Sequence, residues 1–513
     1  MISKLWKDSS FHYALAGSFF WVLVCHAYAF FNDLFSHDAL NALYASGVEE
    51  RWKVELGRFL FPVYRTIVRG KLALPWVIGL LTILWICLTV YLLAKIFELH
   101  SFAAVFFTSG FLAINRTMFC LGATYLYELD VDMLSVFLAV LAVYLWKNRK
   151  FGFLWGALPL IGTLGIYQCN ISVSVVLILF TLVLALVQGK MDTAAAFRKG
   201  LLSLAMLALG SGLYLLIYQI VQAVTGIHVV HGYYNSITNI LEPKTRGLFS
   251  LIIGTYRDFI KTIFYAQTSY PNILIYLAIL LVSALSIVWL VRMIRQNSPK
   301  PLAICLAVIL LLLIPLGANT AYILNNGNVH DLMKYAVWIV FLFPIVLAEK
   351  AGKEVRRHKR LAAGVYIALV LVLADFTVSA NSIYLKKNLE QHATLSLMTR
   401  VIYDLNETPG YVRGETPICF IGAPDLDRQM PGFGTYYNFT GNWSGSAIAS
   451  DNYEYFYHPY RMYIQYYLNE PVTFCSIEEY NALKSNSQVA AMSAYPAPDS
   501  IGFVNGILVI KMK

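Results

Sequence analysis

The densest polar segment of the sequence near predicted membrane helices covers residues 32–71. It contains Asp33, His37, Asp38 and Arg58 among other charged residues. Asp38 and Arg58 each flank apolar sequence, which favours a position at the headgroup level of a membrane. There an arginine would bind a lipid phosphate through two hydrogen bonds, and a carboxylate could take the proton of an attacking hydroxyl. A solvated loop followed by an interfacial helix is the alternative interpretation of the same spacing.

A second polar segment, at 124–134, contains three carboxylates spaced by two residues: Glu128, Asp130 and Asp132. Residues two apart do not share a helix face, so at most two of these carboxylates can point into one cleft. A second acid facing Asp38, which would bind a sugar or steer the acceptor, is the functional interpretation. A charged helix cap is the structural one.

Two shorter polar segments also interrupt apolar sequence. In 165–170, Tyr167 and Gln168 could serve hydrogen bonding between helices or line a substrate site. In 325–335, His330 and Lys334 lie in a tight turn and together could help to hold a phosphate, although a lone histidine there would more often be structural.

Composition decides which elements must position these residues. The 513 residues are 58% hydrophobic and 13% charged, with a mean hydropathy of +0.61. Soluble domains have about 25% charged residues, so a soluble enzyme is excluded. The sequence predicts an all-α polytopic membrane protein, because membrane helices need about 20 mostly apolar residues. Eleven windows qualify, fully or nearly: 11–31, 72–96, 101–120, 131–146, 151–168, 171–188, 200–223, 272–291, 301–323, 335–348 and 361–380.

Basic residues predict the orientation of these helices. Lysines and arginines cluster in alternate loops, including 147–150, 190–199 and 350–360, which predicts a cytoplasmic N-terminus and an extracytoplasmic C-terminus. The formal charge of +10 then reflects topology, and nucleic acid is excluded as a partner because no basic stripe with interleaved aromatic residues is present. The predicted outer loops are 32–71, 121–132, 224–271 and 324–334.

The polar tail predicts a second domain. We divide the chain into a membrane domain, 1–384, and a small extracytoplasmic α/β domain, 385–513. The tail has a buried strand at 417–422, a helix at 459–468 and a C-terminal hairpin around Asn505-Gly506, a dipeptide typical of type I′ turns. Cys419 and Cys475 could form a disulfide or remain two buried thiols. No metal-ligand spacing occurs in the sequence, so it indicates no metal and no required cofactor.

Four segments together resemble one enzyme family. They are the acidic stretch at 32–38, WKVELGRF at 52–59, GIYQ at 165–168, and the chain end AYPAPDSIGFVNGILVIKMK. In this order they resemble the type II O-antigen-modifying glucosyltransferases, which use polyprenyl-phosphate-glucose. The resemblance implies a GT-C membrane glycosyltransferase in a bacterial plasma membrane. It would move a hexose from undecaprenyl phosphate to a surface glycan, such as O-antigen, wall polysaccharide or a teichoic-acid-like acceptor.

The resemblance also implies roles for individual residues. Asp38 maps best onto the general base, with Asp33 and His37 as alternatives, and Gly57-Arg58 maps onto the family's Gly-Arg pair. Glu128 or Asp130 would supply the second acidic position. The reaction would be a single displacement with inversion, and divalent metal is possible but not indicated. The residues expected to line the substrate are Trp52, Glu55, Tyr127, Tyr167 and Gln168. A lipid-linked sugar flippase or transporter and a polysaccharide polymerase are the competing functions.

Overall fold

The chain is described by a computed structural model over residues 6–32, 34, 36, 48–70, 72–231, 245–264, 272–352, 356–423, 460 and 463–513. Helices account for most of these residues. The helices are α1 (Ser9–Phe31), α2 (Val48–Glu55), α3 (Leu60–Val68), α4 (Pro75–Phe97), α5 (Phe102–Ala113), α6 (Arg116–Thr124), α7 (Leu129–Asn148), α8 (Gly152–Ile166), α9 (Ile171–Val187), α10 (Thr193–Thr225), α11 (Leu248–Phe264), α12 (Asn272–Asn297), α13 (Pro301–Leu312), α14 (Ile314–Ala318), α15 (Thr320–Leu324), α16 (Tyr335–Trp338), α17 (Leu342–Gly352), α18 (Arg356–Glu407), α19 (Ile477–Lys484) and α20 (Ser487–Ala491).

The multi-pass helical architecture agrees with the prediction. Within the described ranges, nine helical segments are long and apolar enough to cross a membrane, and the bent pair α5–α6 makes a tenth candidate. The predicted window 151–168 forms the shorter helix α8, of 15 residues. The bend of 46° between α5 and α6 lies at Ile114 and Asn115. The extended backbone of Ile114 ends the first helix, and the Asn115 side chain accepts a hydrogen bond from Met118 N to begin the second.

Helix α7 is central to the packing that positions the site. It packs against both α4 and α8. Polar groups fasten this contact, because Ser135 Oγ donates to Thr163 O at 3.1 Å and accepts from Asn170 Nδ2 at 3.2 Å. The segment 121–132, which we predicted as an outer turn, is instead helical: α6 ends at Thr124, a 3₁₀ turn covers Leu126–Glu128, and α7 begins at Leu129. Its carboxylates therefore lie at the buried start of a helix.

The tail forms a small mixed sheet with strand order β2-β1-β4-β3. The strands are β1 (Pro417–Ile421), β2 (Thr473–Phe474), β3 (Ile501–Val504) and β4 (Ile507–Lys511). The predicted strand at 417–422 and the predicted hairpin are confirmed, since β3 and β4 pair in antiparallel fashion and both Asn505 and Gly506 have positive φ. Tyr463–Tyr467, within the predicted helix, is a π-helical turn.

Helix α18 joins the two parts of the chain. Its 52 residues run through the boundary predicted between 384 and 385, and its C-terminal half packs on the sheet through Met398, Val401 and Leu405. Cys419 and Cys475 are both buried here as thiols that are not joined in a disulfide.

Candidate functional site

The site begins at a tight turn between α2 and α3. Gly57 has φ +83°, and Arg58 N donates to Lys53 O at 2.8 Å, so the helical turn of α2 is closed immediately before Arg58. Two side chains clamp this turn: Gln168 Nε2 donates to Leu56 O at 2.9 Å, and Tyr214 Oη donates to Gly57 O at 3.0 Å. A Cβ at Gly57 would lie 2.5 Å from Tyr214 Oη and 2.9 Å from Gln168 Nε2. Glycine is therefore required for both its conformation and its size.

The turn places Arg58 beside the start of α7. Lys53 Nζ forms an ion pair with Glu128 Oε1, and Arg58 Nη1 lies 3.7 Å from Glu128 Oε2. The guanidinium carbon of Arg58 lies 4.5 Å from the ring centre of Tyr167. We call Lys53, Arg58, Glu128 and Asp132 the Arg58 cluster; all four residues are buried.

Two members of the Arg58 cluster have unused hydrogen-bonding capacity. Within the described part of the chain, the buried Nε of Arg58 has no hydrogen-bond partner. Asp132 lies one helical turn after Glu128, and across the same part of the chain its carboxylate forms no hydrogen bond or ion pair. Burial alone would lower the pKa of Arg58, but Tyr167, Glu128 and Asp132 face it and raise its pKa above the ordinary value.

The third carboxylate of the segment belongs to a separate, closed ion pair. Arg69 Nε donates to Asp130 Oδ2 at 2.9 Å, and Nη2 donates to Oδ1 at 3.3 Å. The remaining donors of Arg69 reach Leu72 O at 2.7 Å and Tyr127 O at 2.5 Å. Neither side chain is exposed, so this pair fastens the end of α3 to the start of α7.

The turn at His330–Lys334 lies next to the Arg58 cluster but has its own partners. Lys334 Nζ contacts both Asp258 oxygens at 3.0 and 3.1 Å and Thr262 Oγ1 at 3.3 Å. His330 Nδ1 accepts a hydrogen bond from Leu332 N at 3.3 Å. Leu332 packs with the cluster of apolar residues that contains Tyr127 and Tyr167, which makes the turn a neighbour of the site.

The other residues predicted for the site are divided between the cluster and its surroundings. The rings of Tyr127 and Tyr167 lie against Lys53 and Arg58, and Gln168 holds the Gly57 turn. Trp52 is half-buried on α2, whereas Glu55 accepts from Arg51 Nε at 2.9 Å in an exposed pair. The predicted residues Asp33, His37 and Asp38 lie outside the described residues.

Three residues that the structure places here were not predicted from the sequence: Lys53, Arg69 and Asp258. Each is the ion-pair partner of a charged residue that the analysis did select. Charge balance is the sequence signal that could have indicated them, since a buried charge is rarely left without an opposite charge nearby. Three carboxylates at the start of an apolar helix thus require nearby cations.

The chemistry open to the Arg58 cluster follows from its charges. The cluster contains two cations, Lys53 and Arg58, and the Nε–H of the Arg58 guanidinium has no acceptor among the described residues, which suits a phosphate oxygen. Within the described residues, the Asp132 carboxylate faces Arg58 but forms no hydrogen bond or ion pair, and it could accept a proton. Over the residues that the structure describes, no group of three His, Cys, Asp or Glu side chains is placed to share a metal ion.

Comparison with known proteins gives one match. A family model described as Glucosyl transferase GtrII matches residues 27–348, a range that contains the whole Arg58 cluster. No curated protein and no solved structure matches the chain.

Proposed function

From the premise that this chain belongs to the glucosyl transferase GtrII family, we propose that it transfers glucose from a polyprenyl phosphate to a surface glycan. Family membership confirms the resemblance to the type II O-antigen-modifying glucosyltransferases and supports glucosyl transfer at a membrane. The lipid-linked donor, the glycan acceptor and the location on the outer side of the plasma membrane are the further parts of the proposal.

The observation that carries the proposal is the incomplete hydrogen bonding of the Arg58 guanidinium, whose Nε has no acceptor among the described residues. A buried guanidinium with an unused donor is costly, because desolvation of that donor is not repaid by a hydrogen bond. A phosphate oxygen would complete the hydrogen bonding, and Lys53 would add a second positive charge. Arg58 lies just before α3 and next to the start of α7, so the phosphate of a membrane lipid could reach it from a headgroup position.

The reaction is a single displacement at the anomeric carbon. The acceptor hydroxyl loses its proton to a carboxylate while its oxygen forms the new glycosidic bond. The bond between the anomeric carbon and the phosphate oxygen breaks, and polyprenyl phosphate leaves with the electron pair. Arg58 and Lys53 stabilise the negative charge that develops on the leaving phosphate, and the configuration inverts. No metal ion enters this scheme.

Among the described carboxylates, Asp132 is best suited to act as the base. Asp130 accepts two hydrogen bonds from Arg69, and Glu128 forms an ion pair with Lys53; both contacts stabilise the charged form and weaken a base. Asp132 has no such partner within the described ranges. Asp38 remains the base that the family resemblance implies, with Asp33 and His37 as alternatives, so the base is assigned between Asp38 and Asp132.

The residues of the neighbouring turn have a lesser role in this scheme. Lys334 would have to release Asp258 and Thr262 before it could bind a phosphate. We therefore assign the phosphate first to Arg58 and Lys53, and only secondarily to Lys334 and His330.

The test is turnover of undecaprenyl-phosphate-glucose by the purified full-length protein in liposomes, with a surface glycan as acceptor and no ion gradient. Asp38→Asn and Asp132→Asn are compared with wild type, and Glu407→Gln, an exposed carboxylate in α18, serves as the control. We expect wild type and the control to release undecaprenyl phosphate, and the variant that lacks the base to lose at least about a hundredfold in rate.

Three other outcomes would contradict parts of the proposal. Full activity in both aspartate variants would exclude both assigned bases while leaving the transfer reaction in place. Movement of the lipid between leaflets without its consumption would replace the transferase with a flippase. Growth of a repeating polymer on the lipid would instead identify a polymerase.

A further inference from the structure

The far end of α7 carries a second charged site. Helix α7 begins next to the Arg58 cluster and ends at Asn148, about 30 Å away at 1.5 Å per residue. At that end, a cavity of about 200 Å³ lies among the ends of α4, α7, α9 and α17 and the start of α10. We call it the lysine cavity, after the charged residues in its lining: Glu98, Lys147, Lys190, Lys199 and Lys350.

The described residues that line the lysine cavity contribute four ammonium groups and one carboxylate. Glu98 Oε2 lies 3.3 Å from Lys350 Nζ and 3.8 Å from Lys190 Nζ. The other two lysines contact neutral groups: Lys147 donates to Ile96 O, and Lys199 lies 3.5 Å from Lys147 O and 5.1 Å from the Trp146 ring centre. Among the described lining residues, positive charges therefore outnumber negative ones.

The positive field is evident at Glu98 itself. Burial alone would raise the pKa of its carboxyl, but Lys350, Lys190 and Lys147 lower the pKa below its ordinary value. Ammonium groups that converge on a concave site bind phosphate as point charges. Apolar residues of α9 such as Leu182 and Leu184 complete the wall, which also suits the glycerol and first methylene groups of a lipid.

We propose that the lysine cavity binds a phosphate-bearing anion with at least two negative charges. Two sources have this chemistry: the headgroup of an anionic phospholipid with two phosphates, and a soluble diphosphate. Basic pockets between membrane helices on the cytoplasmic side bind such headgroups, and the basic loops predict that this end of α7 is cytoplasmic. The cavity shares no residue with the Arg58 cluster, so the two proposals can fail separately.

The test measures binding to the purified full-length protein in detergent. One arm titrates inorganic pyrophosphate by calorimetry, and the other adds cardiolipin and counts bound lipid by native mass spectrometry. The Lys147→Gln/Lys199→Gln variant is compared with Lys150→Gln, which removes an exposed lysine of the same loop that does not line the cavity. We expect about fivefold weaker binding per lysine removed from the cavity, from about 1 kcal/mol for each basic residue near anionic lipid, and less than twofold for Lys150→Gln.

A second variant, which removes a negative charge, distinguishes a specific loss of binding from misfolding. Glu98→Gln removes the carboxylate that competes with the ligand, so binding should become several-fold tighter, which a misfolded protein would not show. Cardiolipin binding without pyrophosphate binding assigns the site to a lipid, and the reverse assigns it to a soluble diphosphate. Absence of both, or equal affinity in wild type and Lys147→Gln/Lys199→Gln, overturns the proposal.

Discussion

Two buried arginines at the same end of the molecule differ in how fully their donors are used. Arg69 donates to both oxygens of Asp130 and to the carbonyls of Leu72 and Tyr127, and none of its side chain is exposed. Arg58 lies against Tyr167 and 3.7 Å from Glu128, and its Nε has no partner among the described residues. Such a difference is informative, because each side-chain nitrogen of Arg69 has an acceptor, whereas Nε of Arg58 has none among the described residues.

The contrast follows from the spacing of the carboxylates. Glu128 and Asp132 are four residues apart and lie toward Arg58, whereas Asp130, between them, is directed to Arg69. Alternate carboxylates of one short segment are thus assigned to different cations, since two residues along a helix correspond to about 200° of rotation. We infer that the Arg69–Asp130 pair stabilises the fold next to the Arg58 cluster, to which we assign the lipid phosphate in the proposed function.

The largest expected effect tests whether the Arg69–Asp130 ion pair stabilises the fold. Arg69→Gln leaves Asp130 buried without its cation, and breaking a buried ion pair from one side costs about 3–5 kcal/mol. We expect the thermal unfolding midpoint in detergent to fall by several degrees or more, with activity per folded molecule largely retained. Arg149→Gln, at an exposed arginine, is the control. Unchanged stability of Arg69→Gln would show that the closed pair does not hold α3 to α7.

The next largest effect tests the proposed role of Arg58 in turnover. Arg58→Gln should leave the unfolding midpoint within a few degrees of wild type, because Glu128 keeps its ion pair with Lys53. Loss of one group that stabilises transition-state charge costs about 10²–10³ in kcat, so turnover of the lipid-linked sugar should fall by that factor. Arg58→Lys should recover only part of it, since an ammonium cannot reproduce the two-pronged contact. A variant that loses stability but keeps its turnover would reverse the roles of the two arginines.

A smaller effect tests what positions Arg58. Gly57→Ala places a methyl group against Tyr214 Oη and Gln168 Nε2 at a φ of +83°. A strained backbone position of this kind costs about 1–3 kcal/mol, so we expect a lower unfolding midpoint and a reduced kcat from displacement of Arg58. Gly212→Ala is a matched control, because a Cβ at Gly212 meets no atom within 4 Å. Equal behaviour of the two variants would mean that the turn tolerates displacement.

Local sequence was enough to predict much of this architecture. Apolar segments of sufficient length predict membrane helices whatever their partners, and Asn505-Gly506 between apolar strands predicts a hairpin. The segment 121–132, predicted as an outer loop, is instead helical, and its carboxylates lie at the start of α7, as the alternative of a charged helix cap had it. The structure buries these carboxylates against Lys53 and Arg69, from a segment more than 50 residues earlier in the chain.

The site is formed by contacts between residues far apart in the chain, which limits how much of it the sequence could predict. The sequence singled out Gly57-Arg58, Glu128 and Tyr167, and the structure brings them together. It could not show that Lys334 pairs with Asp258, 76 residues away, or that Gly57 is needed for contact with Tyr214 rather than with a ligand. Such pairings depend on tertiary packing, which no local spacing encodes.

The smallest expected effect is that of a third arginine, Arg51, which is an exposed reference for the two buried arginines. Arg51 forms an ion pair with Glu55 at 2.9 Å, four residues along α2, but two thirds of its side chain is exposed, at 68%. Exposed pairs of this kind contribute about 0.3–0.5 kcal/mol, because solvent screens them and side-chain entropy opposes them. We expect Arg51→Ala to shift the unfolding midpoint by about a degree or less and turnover by less than twofold, measured beside Arg58→Gln. A large loss of turnover would indicate that the exposed face of α2 contacts the substrate. Binding of the donor could then no longer be assigned to Arg58 alone among the arginines.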